Sequence, residues 1–217
     1  MDLHDIAVVV PCYNEAARLQ IDAFRDYLKG HRRSALVLVN DGSADDTLTV
    51  LRVIEAEYPE QVTVVNQQPN RGKAEAVRVG LIAACDRAPI VGFWDADLAT
   101  PLPVITEFLS IMNSRPAIQW VLGSRVKLLG RTIRRSELRH YLGRFFATGA
   151  SMTLDLGVYD TQCGAKLFRA TPLFRSLIAE PFLTRWIFDV EMIARLTAAA
   201  RRGAAPDPRD IIFEAPL

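Results

Sequence analysis

Short apolar runs recur along the chain at residues 6–10, 36–39, 62–65, 90–94 and 120–122, each closed by a polar or glycine-bearing turn. Runs this short and rich in β-branched residues predict strands buried on both faces, the pattern of a parallel sheet. Between them, apolar residues fall at helical spacing: Leu19, Phe24, Tyr27 and Leu28, then Leu48, Leu51, Ile54 and Tyr58, then Val77, Leu81 and Ala84. Strand and helix therefore alternate. The fold class that follows is α/β, an open, mostly parallel, Rossmann-like sheet flanked by helices with right-handed crossovers. At 217 residues, with 50% hydrophobic content, the chain suits a single domain over 1–217 with an ample core.

In such a sheet the loops that follow parallel strands open on the carboxyl edge, where ligands bind. The loops at 13–15, 41–43 and 95–97 all belong to that edge. Ser43, with Asp46 three residues on, predicts a capping-box variant at the start of the second helix. After about Gly123 the pattern changes to a basic loop, a long amphipathic segment near 136–154, a polar turn at 159–164, a short run at 166–168 and a helix near 187–200. Gly203, Pro206 and Pro208 argue for a loop before a last short strand at 211–213.

Charge narrows the partners. Lysine and arginine number 26 against 25 acids, so no global field recruits nucleic acid or membrane and any preference is local. Cys12, Cys85 and Cys163 form no metal-type or redox pair and fit a reduced, cytoplasmic setting. The start has no signal-peptide pattern and no window approaches 18 uncharged apolar residues, so the expectation is a chain that does not span a membrane, though it can lie on one. His4, His31 and His140 are scattered, which indicates neither a zinc site nor a Ser-His-Asp arrangement.

The chemistry concentrates at Asp95-Ala96-Asp97. Side chains at i and i+2 of a strand point the same way, so two carboxylates are expected to converge past the end of the fourth run. Paired carboxylate oxygens suit a hard divalent ion, Mg²⁺ or Mn²⁺. The plainer alternative is that they cap the helix after Pro101 or solvate a turn. Arg71-Gly72-Lys73 opens a helix, and a helix N-terminus beside two cations is a natural phosphate site; a solvated basic face is its alternative.

Five stretches, VVVPCYNE (8–15), VNDGSADDT (39–47), NRGKAEAVRVG (70–80), DADLATP (95–101) and DTQCGAKLF (160–168), together resemble the family 2 glycosyltransferases of the GT-A fold. With RWIFDVE (185–191), they are most similar to the branch that transfers glucose to dolichyl phosphate and to its bacterial polyprenyl-phosphate relatives. The resemblance implies inverting, metal-dependent transfer of a hexose, glucose from UDP-glucose, to a polyprenyl phosphate. It implies that 1–122 binds the nucleotide sugar and 123–217 the acceptor. Pro11, Tyr13, Asn14 and Glu15 would line the base and ribose, Asp41 and Gly42 would meet the base, and Lys73 would touch the diphosphate. Asp95, Ala96 and Asp97 would hold donor and metal, and Gln162 would stand near metal and sugar. Asp189 would be either a general base or an orienting group, because a phosphate acceptor is already largely ionised near neutrality, its second pKa being about 6. Cys163, Trp186 and Phe188 read as packing residues.

Between Gly123 and Phe145 lie seven basic residues, Arg125, Lys127, Arg131, Arg134, Arg135, Arg139 and Arg144, against one acid, Glu137. Leu138, Tyr141, Leu142, Phe145, Phe146 and Met152 follow at helical spacing. A core helix with a solvated face explains such a segment; so does an element on the cytoplasmic membrane surface. With the resemblance, the second reading is preferred, Arg131, Arg134, Arg135 and Arg139 holding the acceptor phosphate and Arg125 contacting donor or acceptor phosphate. The chain differs from the family in lacking the N-terminal anchor common in eukaryotic members. It also ends at Glu214-Ala215-Pro216-Leu217, where a further short stretch is expected, so its last strand would be unfinished. The rival readings are a transferase of the same fold with a soluble acceptor or a GDP-mannose donor, and a nucleotide-binding module without turnover. A sugar nucleotidyltransferase is disfavoured because no glycine-rich G-G-x-G-T-R-like stretch lies near the first strand.

Overall fold

The computed structural model describes residues 4–125 and 159–217. At the centre lies β1 (Ile6–Cys12), paired in parallel with β2 (Ser34–Asp41) on one side and β4 (Ile90–Trp94) on the other; β3 (Val62–Gln67) continues the parallel pairing beyond β2. Ile6, Val8 and Val10 face one layer of helices while Ala7 and Val9 face the other, the period-two alternation of a strand. Both faces are apolar because both are covered.

On the first face α1 (Ile21–Gly30), α2 (Thr47–Glu57) and α4 (Val104–Ser114) bury Phe24, Leu28, Leu51, Ile54, Ile105 and Phe108. On the second, α3 (Lys73–Cys85), α5 (Pro172–Ala179) and α6 (Phe188–Arg201) bury Val77, Leu81, Phe174, Ile178, Met192 and Leu196. The start of α5 has a local cause: Thr171 Oγ1 accepts from the Phe174 amide at 3.1 Å, and Pro172 occupies the first turn.

The mostly parallel sheet agrees with the sequence reading, and β5 (Trp120–Ser124) is separated from β4 by one strand. β6 (Ala165–Arg169) is inserted antiparallel to both, with Trp94 opposite Ala165 and Trp120 opposite Phe168, giving the order β3-β2-β1-β4-β6-β5-β7. Insertion is favoured because β6 is itself two-faced: Ala165 and Leu167 join the first core layer and Phe168 the second.

Two expectations are corrected. Ser43 and Asp46 form no capping box; α2 begins at Thr47, whose amide is capped by Asp45 Oδ1 at 3.0 Å, while Ser43 Oγ accepts from the Asn14 amide at 3.0 Å. The loop after β1 leaves its amides without strand partners, and hydroxyls of the neighbouring loop satisfy them: Thr47 Oγ1 accepts from Glu15 N at 2.8 Å and Ala16 N at 3.1 Å. The last strand, expected at 211–213, runs instead from Ile212 to Pro216. After the short helix α7 (Pro208–Ile211), β7 (Ile212–Pro216) pairs in parallel with β5 along its whole length, and the Leu217 amide donates to Ser124 O at 3.0 Å.

Candidate active site

Because β1, β2 and β4 run parallel, the loops that follow them meet on one edge. The Asp95–Asp97 segment is not a continuation of the strand, as the i, i+2 argument assumed. β4 ends at Trp94 and the chain turns at once, the Leu98 amide donating to Asp95 O at 3.1 Å. Three contacts pin this turn: Trp94 Nε1 donates to Thr100 O at 2.7 Å, Gln20 Nε2 to Asp97 O at 3.1 Å, and Asp95 N to Gly164 O at 2.9 Å. Asp95 is half-buried. Asp97 is exposed, one of its oxygens accepting from the Ala99 amide at 3.0 Å. Among the described residues, the two non-glycines with positive φ, Asn14 at 53° and Leu98 at 50°, both lie in these edge loops, a conformation held only where the surroundings over-determine it.

Lys73 is the first residue of α3 and its Nζ donates to Asp95 Oδ1 at 2.5 Å. Gly72, at φ 95°, makes that approach possible, and the Arg185 side chain covers it so closely that a Cβ there would lie 2.8 Å from Arg185 Nε. The turn leading to Lys73 is organised by Asp41. One carboxylate oxygen accepts from Gln67 Nε2 at 2.6 Å and the Arg71 amide at 2.8 Å, the other from Asn70 Nδ2 and the Gly72 amide, each at 2.9 Å. Asp41 is only 3% exposed, and four donors fill its acceptor capacity, so in this arrangement it shapes the turn that leads to Lys73. Gly42, with φ 64°, abuts the Asn70 backbone from the same loop.

The residues expected to line a base and ribose sit beside this. Tyr13 is 50% exposed on the loop after β1; Asn14 Oδ1 accepts from the Ala44 amide at 2.9 Å, tying the loops after β1 and β2 together. Glu15 pairs with Arg18 at 2.8 Å, Pro11 is half-buried at the end of β1, and Ala96 is buried within the turn.

The segment from Tyr159 to Lys166 closes the site from the other side. Arg125, at the end of β5, grips Asp160 with its fork: Nε donates to Oδ2 at 2.7 Å and Nη2 to Oδ1 at 3.0 Å. Burial alone would raise the Asp160 carboxyl, but the hydrogen bond and charge of Arg125 outweigh it and hold the group below the ordinary carboxylate range. Glu214 of β7 accepts from the amides of Tyr159 and Asp160 at 2.9 and 3.2 Å. Gly164 packs its bare Cα against the Asp95 carboxylate; a Cβ would overlap it. Gln162, two residues earlier, is exposed.

Asp189, the candidate base, lies in the first turn of α6 and is buried, its Oδ1 2.9 Å from Lys166 Nζ. Burial pushes its carboxyl up, opposed by the Lys166 charge. The packing readings hold for Phe188, tilted against Phe93 in the core, and for Cys163, but Trp186 is corrected: it is exposed, and its neighbour Arg185 lies over Gly72. Sequence reasoning missed Lys166, Asn70 and Glu214. Lys166 alone carried a signal, a lysine inside an otherwise apolar five-residue run. Arg131, Arg134, Arg135 and Arg139, with the apolar stripe that follows them, lie outside the described residues.

Asp95 and Asp97 are the residues able to hold a cation here; among the described residues no group of three or more His, Cys, Asp or Glu side chains is arranged for one. The donor types fit a hard divalent ion, since they are carboxylate oxygens on an open edge of the sheet, Asp97 exposed and Asp95 half-buried. With only two protein carboxylates, such an ion would draw its remaining ligands from a diphosphate and water.

The chain is 33% identical over 199 residues to a dolichyl-phosphate beta-glucosyltransferase of Trichomonas vaginalis, covering 85% of this chain and 57% of that protein. With the enzymes of the same name from Drosophila melanogaster and Homo sapiens it shares 34% and 33% identity, in each case over 87% of this chain and 61% of the relative. The chain thus spans about six-tenths of the length of these curated relatives. Its fold matches the glucosyl-3-phosphoglycerate synthase of Mycobacterium tuberculosis solved with Mn²⁺, UDP and glucosyl-3-phosphoglycerate, at TM-score 0.69 and 22% identity, covering 99% of this chain and 70% of the other. The same enzyme with Mn²⁺ and UDP-glucose matches at TM-score 0.65 and 22% identity, over 99% of this chain and 69% of the other. The profile of glycosyl transferase family 2 matches residues 7–174, a span that takes in the edge loops, the Asp95 turn and the whole of β6, and the chain belongs to that family.

Proposed function

We propose that the chain is an inverting glucosyltransferase that moves glucose from UDP-glucose to the phosphate of a polyprenyl phosphate, with Mg²⁺ or Mn²⁺ held by Asp95 and Asp97. One observation carries this reading: the first residue of α3 and the residue after β4, Lys73 and Asp95, meet at 2.5 Å on the ligand-binding edge of the sheet. That places a cation and a helix N-terminus beside an acidic turn, an arrangement that accepts a diphosphate and its counter-ion together. The acceptor is read from the named activity of the curated relatives, and the donor and metal from what the solved neighbours bind.

In this reading the first-turn amides of α3 and the Lys73 ammonium receive the diphosphate, and Tyr13 offers its exposed ring to the nucleotide. Pro11 and Glu15 line the base and ribose, and Asp41 acts by shaping the turn before Lys73. The divalent ion, when bound, neutralises charge that builds on the leaving UDP. An acceptor phosphate oxygen attacks the anomeric carbon from the face opposite the diphosphate. The bond from that carbon to the UDP oxygen breaks, and its electron pair leaves with UDP. No strong base is required for a nucleophile that is already an anion, which agrees with an Asp189 buried against Lys166. Gln162 stands on the rim where the sugar would lie. Arg125 steadies the Asp160 turn and offers its remaining donors to phosphate. The basic segment bearing Arg131, Arg134, Arg135 and Arg139 is assigned to the acceptor phosphate and to the cytoplasmic membrane surface. No helix among the described residues is long and apolar enough to cross a membrane.

The test is incubation with radiolabelled UDP-glucose and a short-chain polyprenyl phosphate, with and without EDTA, followed by organic extraction. The expected result is lipid-phase label that EDTA removes. Label transferred only to water-soluble acceptors would overturn the lipid assignment, and transfer to a hydroxyl would in addition make Asp189 a required base.

A further inference from the structure

Lys166 sits in the middle of β6 with 2% of its surface exposed, on a strand whose neighbours Ala165, Leu167 and Phe168 are all core residues. A buried ammonium is costly unless it is paired and hydrogen-bonded. Here Nζ donates to the Cys163 carbonyl at 2.5 Å, forms an ion pair with Asp189 Oδ1 at 2.9 Å, and stands 5.1 Å from the centre of the Phe93 ring. A buried pair of this kind adds little net stability, because taking both charges out of water offsets their attraction. Two apolar residues of similar volume would serve the core at least as well.

What the ammonium does achieve is placement. The carbonyl it holds belongs to the peptide joining Cys163 to Gly164. That glycine is the floor beneath Asp95: its Cα packs on the carboxylate without room for a Cβ, and its own carbonyl accepts from the Asp95 amide at 2.9 Å. Lys73 holds the same carboxylate through Oδ1. Asp95 is therefore clamped between an α3 lysine and a turn that is itself anchored, through Lys166 and Asp189, to α6.

We infer that Lys166, braced by Asp189, is the positioning residue for Asp95, fixing the Cys163–Gly164 peptide so that the Asp95 carboxylate meets a divalent ion and diphosphate in one orientation. The inference rests on the reading of Asp95 as a ligand of that ion. Lys166 touches neither donor nor acceptor; it acts through Gly164.

The experiment is calorimetric titration of UDP, with and without Mn²⁺, into the full chain and three variants, with thermal melts alongside. Lys166→Met/Asp189→Asn removes the pair without leaving one charge alone in the core. It is expected to melt near the parent temperature and bind UDP alone as the parent does, while its affinity for UDP with Mn²⁺ falls about tenfold or more, the usual effect of losing a group that orients a metal ligand. Gly164→Ala, which displaces the same carboxylate while keeping the pair, is expected to show the same selective loss and decides the matter if the double variant does not fold. Parent-like affinity for UDP with Mn²⁺ in the folded double variant, or in Gly164→Ala if only that variant folds, overturns the inference. Asp95→Asn serves as the reference: should it bind UDP with Mn²⁺ as the parent does, the reading of Asp95 falls and the positioning role falls with it.

Discussion

Lys73 Nζ and Asp95 Oδ1 lie 2.5 Å apart although 21 residues separate them in the chain, because α3 starts and β4 ends on the same edge of the sheet. Neither side chain is sealed from solvent, with 24% and 33% of their surfaces exposed, so the pair is open to exchange for a diphosphate and its cation. Lys73→Met is expected to lower the transfer rate about 100-fold, the usual effect of removing one fixed group that stabilises developing charge. Single-turnover measurement with UDP-glucose checks it; a parent-like rate would take Lys73 out of the site.

Asp97→Asn separates chemistry from folding. The carboxylate is exposed, and the oxygen that accepts from Ala99 N at 3.0 Å is retained in an asparagine. Stability should therefore change by no more than about 0.5 kcal/mol, as for ordinary surface substitutions. Transfer should be lost. A melt and an activity assay on one preparation test both halves, and a fully active variant would remove Asp97 from metal binding.

The turn logic was only partly legible in the sequence. Strands β1, β2 and β4 were readable because residues buried on both faces leave continuous apolar runs, and Asp95, Asp97 and Lys73 were readable because strand ends and helix starts mark the edge. The place of β6 was not. Its five residues include a lysine that periodicity assigns to solvent, and the partner that lets it be buried, Asp189, lies on another element. Ser43 failed as a cap for a similar reason: the amide it satisfies, that of Asn14, is contributed by the neighbouring loop. Asp41 resembles a base-binding residue in sequence, yet the Asn70–Gly72 turn consumes its oxygens.

The Arg125–Asp160 fork predicts an acid limb. The Asp160 carboxyl is lowered in the folded chain from 3.8, so its ionised form contributes stability that is fully present above that value and lost as pH falls through the lowered folded value. Urea midpoints of the parent and Asp160→Asn should differ by a constant amount from about pH 5 upward, then converge below about pH 4. A gap that widens as pH falls would contradict the assignment.

All three cysteines are free and buried, and burial raises each thiol; that of Cys85 is pushed up to about 11. The native chain at pH 8 should react with a thiol-specific disulfide reagent about 100-fold more slowly than the same chain in denaturant, since thiolate is the attacking form and access is blocked. Fast labelling of Cys163 in the native chain would mean that the turn beneath Asp95 opens readily.

The most direct test of the account is anomalous diffraction from crystals soaked with Mn²⁺ and UDP. It should show one manganese peak in contact with carboxylate oxygens of both Asp95 and Asp97, at coordination distances of about 2.0–2.6 Å, and shared with the diphosphate. Well-ordered UDP with no manganese between it and these two carboxylates would contradict it.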